Sequence, residues 1–176
     1  MQEKPDLALV HAATDGDAES FTELCRRYYP AMVAIAHSVV GDRHLAEDAA
    51  QQAFARAAVK LPQLKNANRF AAWLAAICRN VAKDMVRTES KLHSDENLSM
   101  IAAQPQADDA AEIVRQAINR LSASSREVIF LRYYDGMSYE QISTVLGITE
   151  QAINGRLRRA KRKLADYLRR NGFAED

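Results

Sequence analysis

Apolar side chains recur every three to four positions through most of this 176-residue chain, the spacing of helices that bury one face. Asp17 precedes one such run and is placed to cap a helix over 18–39, with Phe21, Leu24, Cys25, Tyr28 and Tyr29 on its apolar side. Pro30 lies inside that run, lacks a backbone donor, and is expected to end or kink the helix. Gly41 and Asp42 close the next piece. A third helix is expected over 43–60, with Leu45, Ala49, Ala53, Phe54 and Ala57 inward and Glu47, Asp48, Gln51, Gln52 and Arg56 on the other face. Residues 62–68 (PQLKNAN) read as a loop. A fourth helix over 69–87 turns Phe70, Trp73, Leu74, Ile77, Cys78, Val81 and Met85 inward.

The periodicity then stops. Residues 88–110 carry five acids, one lysine, a proline and no aromatic residue. Such a segment buries little surface, so a flexible acidic linker is expected. Helical spacing resumes over 111–121. Ser122 can cap a helix reaching Tyr134, and Asp135-Gly136 is a turn. Ser138 followed by Gln141 is a capping-box pair, Gly147 is a suitable C-terminal glycine, and Thr149 caps a last helix over 150–170. The expected fold is all-α: one small helical domain over 1–87, the linker over 88–110, and a second small helical domain over 111–176.

Composition agrees. Apolar residues make up 48% of the chain, enough for a core, and only 6 glycines and 4 prolines interrupt it. No apolar run approaches the roughly 20 residues that span a bilayer. The opening MQEKPDLALVHAATDGD lacks the basic-then-apolar order of a secretory leader, so a cytoplasmic location without membrane insertion is expected. Cys25 and Cys78 both fall in helical apolar patterns and read as buried free thiols rather than a disulfide framework.

Charge is unevenly spread. The formal net charge is +1, yet residues 1–110 hold 12 basic and 15 acidic side chains, whereas residues 111–176 hold 12 basic and 8 acidic. A basic C-terminal third points to a polyanionic partner, most often nucleic acid. The stretch Ser138 to Leu164 reads as a helix-turn-helix. Its first helix (138–146) would cross a DNA backbone while the second (150–164) enters the major groove. Ile142, Val145, Leu146, Ile148, Ile153 and Leu157 sit where the two helices must pack. The second helix carries Arg156, Arg158, Arg159, Lys161, Arg162 and Lys163, six bases in eight residues with no acid. Such a surface repels itself unless phosphates neutralise it. The plain alternative is a solvated helix with a basic tail, and the glycine-turn helix before it favours DNA binding.

The segment LSASSREVIFLRYYDGMSYEQISTVLGITEQAINGRLRRAKRKL (121–164) resembles the promoter-binding C-terminal domain of bacterial sigma factors. Independently, LAEDAAQQAFARAAVKL (45–61) followed by FAAWLAAICRNVAKDMVR (70–87) resembles the sigma-factor domain that binds core RNA polymerase and melts the promoter. The linker leaves no room for the middle domain of housekeeping sigma factors, so the whole resembles the minimal, extracytoplasmic-function (ECF) group. The resemblance implies a non-catalytic subunit with no cofactor. It would direct core polymerase, met through the β′ coiled coil and the β subunit, to −35 and −10 promoter elements. It also implies a controlling anti-sigma factor that masks the polymerase-binding surfaces.

The same resemblance distributes roles. Glu47, Asp48, Gln51 and Gln52 would dock on the β′ coiled coil, which is basic there. Lys65, Asn66 and Asn68 in the loop and Asn80 on the next helix would meet unstacked −10 bases, while Arg79, Lys83 and Arg87 neutralise phosphate. Phe70 and Trp73 fall on the apolar stripe and are read as core, and Asp84 as an ion-pair partner of bases on its own helix. Gln151, Asn154, Arg158 and Arg159 would meet −35 base edges. Arg156, Lys161, Arg162, Lys163 and Tyr139 would hold phosphates. The linker would thread near the RNA exit channel, its acidity imitating nucleic acid, or act as a plain tether. Three positions depart from the family pattern. Ala58 stands where tryptophan or tyrosine is common. The LSASSREV block lacks a proline. Ile153-Asn154-Gly155-Arg156 replaces a Val-Lys-Ser-Arg-like run, and Gly155 inside a helix costs about 1 kcal/mol against alanine while allowing close approach of DNA to the backbone.

Two other classes fit less well. A stand-alone helix-turn-helix regulator would place a sensing domain first, with strands and a ligand pocket, where this chain has helices and the LAEDAAQQAF block. A helical enzyme would need paired acids on an apolar face. His11, His37, His44 and His93 are scattered, and His44 with Glu47 has no second such pair to complete a metal site.

Overall fold

The computed structural model of the chain describes residues 4–95 and 109–173. Eight α-helices account for most of them: α1 (Asp6–Thr14), α2 (Ala18–Val40), α3 (Arg43–Lys60), α4 (Phe70–Asp95), α5 (Asp109–Asn119), α6 (Ala123–Ile129), α7 (Tyr139–Leu146) and α8 (Glu150–Arg170). No strand occurs among the described residues, and no helix is long and apolar enough to cross a membrane.

Local chemistry sets the helix ends. The Asp17 carboxylate accepts from Glu19 N, and Asp42 accepts from Leu45 N. Gly41 closes α2 at φ +76°, a left-handed conformation that glycine adopts without a Cβ penalty. Between α3 and α4 the chain makes two short 3₁₀ turns, Leu61–Gln63 and Ala67–Arg69, within the expected loop. After α6 the helix widens into a π turn over Phe130–Tyr134, closed by Asp135 N donating to Phe130 O at 3.1 Å.

One expectation is narrowed and two are corrected. Of the two outcomes expected at Pro30, an ended or a kinked helix, the first is excluded, since α2 runs from Ala18 to Val40. Every residue from Ala31 to Ala36 is buried, and that packing outweighs one missing backbone bond. The fourth helix does not stop at 87. It continues to Asp95, into the segment read as linker, because nothing from Thr88 onward breaks a helix. The Thr88 hydroxyl donates back to Asp84 O and Ser90 to Val86 O. Likewise α5 begins at Asp109 rather than 111. The remainder of the expected linker, 96–108, lies outside the described residues. Sequence reading also passed over α1, a short helix tied to α2 where Asp6 takes hydrogen bonds from Arg27 Nη1 (2.8 Å) and the Tyr28 hydroxyl.

In the first unit, α2, α3 and α4 pack on one another around Leu24, Met32, Ile35, Leu74 and Val81, with a run of alanines (46, 49, 50, 53, 57) letting α3 lie close. Leu45, expected inward, is half-buried, and Ala46 and Ala50 face the core beside it. In the second unit α6, α7 and α8 enclose Val128, Leu131, Ile142, Val145, Ile153 and Leu157. Cys78 is buried and Cys25 half-buried, both as free thiols, and burial pushes the Cys78 thiol up to about 12.

The two units are not splayed. The faces of α2 and α4 meet α6, the π turn and α7 along a seam. His37 of α2 sits edge-on to Phe130 (ring centroids 4.8 Å) and Tyr134 (5.3 Å). Arg79 Nε of α4 donates to Glu127 Oε1 of α6 at 2.5 Å. Gly147, at φ +65°, places its backbone where a Cβ would stand 3.3 Å from the Ala72 methyl.

Candidate nucleic-acid and polymerase interfaces

The helix-turn-helix is built as a rigid bracket. Ser138 Oγ accepts from Gln141 N while the Gln141 amide oxygen accepts from Ser138 N, completing the capping box at the start of α7. Ser143 Oγ donates to Ile148 O at 2.6 Å across the turn, and Thr149 Oγ1 accepts from Ala152 N to start α8. Ile142 and Val145 of α7 and Ile153, Leu157 and Ala160 of α8 are buried together. That burial fixes the opposite face of α8, where Gln151, Asn154, Arg158, Arg159, Arg162 and Lys163 are all exposed, with Arg156 half-buried.

None of Arg156, Arg158, Arg159, Arg162 and Lys163 forms an ion pair with a described residue. Unpaired cations clustered on one helix face lower their mutual repulsion by taking an anionic ligand. Lys161 and Tyr139 stand apart from them. Lys161 Nζ lies 5.2 Å from the centre of the Tyr133 ring, and the neighbouring Tyr133 side chain raises its pKa. Tyr139 is half-buried beneath the Arg132 guanidinium, 5.6 Å from its ring centre.

The residues expected to meet −10 bases fall in three places. Lys65 and Asn66 line a cavity of about 470 Å³ with Leu64, Arg69, Ala72 and Trp73. Asn66 Oδ1 is itself engaged, accepting from Asn68 N and so holding the loop's second turn. Asn68 is exposed and lines neither this cavity nor the next. Asn80, Lys83 and Arg87 line a second cavity of about 490 Å³ with Arg56, Lys60, Ile77 and Asp84. Asp84 pairs with Arg87 at 3.2 Å, as expected, and also with Arg56 at 3.7 Å. Arg79 joins neither group, because its guanidinium is spent on Glu127 at the seam.

Sequence reading missed three side chains here. Arg56 and Lys60 stand four apart on α3, and that spacing was available as a signal that both reach the same strip of surface. Arg69 sits at a turn boundary, where periodicity gives no direction. Of the two rings read as core, Phe70 is 2% exposed and Trp73 packs half-buried against the core, with its other side walling the loop cavity.

On α3 the four residues expected to face polymerase share one exposed side. Asp48, Gln51 and Gln52 are open to solvent, and Glu47 accepts from Arg43 Nε at 3.0 Å. A groove of about 330 Å³ runs alongside, lined by Leu45, Gln52, Arg56, Val81, Met85 and Thr88 among others.

Comparison with known proteins places both halves. Residues 24–92 match the model of sigma-70 region 2, and residues 111–164 match sigma-70, region 4. The chain is 32% identical over 173 residues to a probable RNA polymerase sigma factor, RfaY, of Xanthomonas campestris, with 91% of this chain aligned but 43% of that longer protein. It is 28% identical to the ECF RNA polymerase sigma factor SigW of Bacillus subtilis, covering 88% of this chain and 91% of that one. Among solved structures, CnrH in complex with the cytosolic domain of CnrY superposes with a TM-score of 0.65 at 28% identity, covering 95% of this chain and 99% of that one. The sigma factor RpoE in complex with the anti-sigma factor NepR from Bartonella quintana superposes with a TM-score of 0.57 at 28% identity, over 86% of this chain and 98% of that one.

Proposed function

The chain belongs to the sigma factors of RNA polymerase, within their extracytoplasmic-function group, and from that premise we propose how its surfaces divide the work of starting transcription. As a sigma factor it binds core RNA polymerase and directs it to promoters. The unit holding α1–α4 engages core polymerase and the −10 element, and the unit holding α5–α8 engages the −35 element. The observation that carries this reading is the exposed face of α8, where unpaired arginines flank Gln151 and Asn154 on a helix held by a capped turn.

Arginine can pair with guanine and the amides with adenine, so Gln151, Asn154, Arg158 and Arg159 read bases while Arg156, Arg162 and Lys163 grip phosphates. Lys161 and Tyr139 reach phosphate only by leaving Tyr133 and Arg132. Lys65, Asn66 and Asn68 receive unstacked −10 bases beside Trp73 and Arg69. Asn80, Lys83 and Arg87, with Arg56 and Lys60, form a cationic track for the separated strand. Arg79 joins that strand only when the seam opens. Glu47, Asp48, Gln51 and Gln52 meet a basic partner on core polymerase. The chain performs no chemistry of its own, works in the cytoplasm, and is held in check by an anti-sigma factor, a reading supported by solved relatives caught with such partners.

The test is transcription from a genomic promoter library with purified components. The full chain plus core polymerase should yield discrete start sites absent with either alone. Start sites identical to those of core alone would overturn the reading.

A further inference from the structure

Gly155 occupies an unusual place on α8. Glycine destabilises a helix interior relative to alanine, so a glycine there needs a reason. The backbone supplies none: Gly155 is absent from the glycines with positive φ. Packing supplies none either. A Cβ built at Gly155 meets only Arg159 Nη1, at 3.4 Å, an ordinary contact with the mobile end of a side chain. Position is what distinguishes it. At 3.6 residues per turn Gly155 lies opposite the buried stripe of Ile153, Leu157 and Ala160. It is one turn from Gln151 on one side and from Arg158 and Arg159 on the other, and next to Asn154.

We propose that Gly155 is the point of closest approach between α8 and duplex DNA, a notch without a side chain that lets the base edges sit down between Gln151, Arg158 and Arg159. In the free chain the Arg159 guanidinium lies over this bare backbone, and it swings aside to its base or phosphate when DNA enters. The inference rests on the DNA-reading role given to α8 above. A methyl group at 155 would hold the helix off the groove and lengthen every bond its neighbours make, although the folded helix has room for it.

The experiment uses the full chain assembled with core polymerase. The probe is a 60-bp duplex carrying the upstream element that wild-type holoenzyme recovers from a randomised pool. Gly155→Ala should raise the Tm of the free chain by about 2–4 °C, since alanine is the better helix former. It should nonetheless weaken duplex binding at least tenfold, and Gly155→Ser should weaken it too. Arg158→Ala should weaken binding without raising Tm. If Gly155→Ala binds within twofold of wild type while Arg158→Ala loses affinity, the notch is refuted and the DNA-reading role of α8 stands. If neither variant changes binding, that role fails and the notch with it. A lowered Tm for Gly155→Ala would show a structural need for glycine and also refute the proposal.

Discussion

The Arg79–Glu127 pair offers the sharpest test of how the two helical units hold together. The side chains are 28% and 10% exposed, and they join residues 48 apart in sequence across the seam. Removing Arg79 leaves the Glu127 carboxylate buried without its cation. Stranding one member of a fully buried pair costs about 3–5 kcal/mol; because a quarter of Arg79 is in water, about 2–3 kcal/mol is the better figure here. Glu127→Gln is milder. It keeps the shape and an acceptor, and Arg79 can turn to solvent, so about 1 kcal/mol is expected. Both costs fall on the closed arrangement alone, since opening returns both groups to water. The closed-to-open ratio should fall about 30- to 150-fold for Arg79→Ala and about fivefold for Glu127→Gln. Single-molecule energy transfer between dyes on Gln51→Cys and Arg169→Cys measures that ratio directly. Cys25→Ser removes one native thiol, and Cys78 is buried with its thiol pushed up to about 12, so it stays unlabelled. An unchanged ratio for Arg79→Ala, or a larger loss for Glu127→Gln, would refute the reasoning.

The same seam should respond to acid. Burial holds the His37 imidazole below its ordinary value of 6.5, Asp42 and Arg43 act on it in opposite senses, and its Nδ1 is buried without a partner. A lowered folded pKa means its contribution is complete above about pH 6.5 and is lost as pH falls through the folded value. The closed population should therefore decline on acidification below about pH 6.5, and His37→Phe should flatten that decline in the energy-transfer assay. Asp48→Arg should weaken co-purification with core polymerase at low salt while leaving the circular dichroism of the free chain unchanged, because Asp48 is exposed and forms no ion pair with a described residue. Lys163→Ala should weaken all duplexes alike and reduce the salt slope of binding by about one unit, whereas Arg158→Ala should relax preference at one or two base pairs, as read by competition with point-substituted duplexes.

What the sequence made legible was local. Asp17, Ser122, Ser138 and Thr149 each cap the helix expected of them, and Gly41 and Gly147 each take the left-handed conformation at a helix end. Caps act within three residues, so their partners are written beside them. The exposed face of α8 was legible for the same reason, since a stripe at helical spacing defines its opposite. Pro30 left two outcomes open, an ended or a kinked helix, because its local cost is real; the burial of Ala31 to Ala36, a property of three helices together, rules out the first. Arg79 shows the same limit, because its partner Glu127 lies 48 residues away. Its place on α4 suits a phosphate contact, and nothing near it in sequence announces Glu127.

Gly147 shows why the seam escaped a reading that found both units. As a helix cap it needs only its φ of +65°, and the sequence explains it fully on that ground. Yet the same missing side chain lets the turn of the helix-turn-helix rest against Ala72, beside the cavity walled by Trp73 and Arg69. One glycine thus serves the bracket that presents α8 and the contact that holds α8's unit against α4 of the first unit. The seam carries an ion pair, a histidine between two rings and a glycine contact, and the buried apolar side chains of both units run on as one cluster across it. Its polar members regain water on separation, so substitution at Arg79 or His37 shifts the balance between the closed and open arrangements without touching the apolar packing.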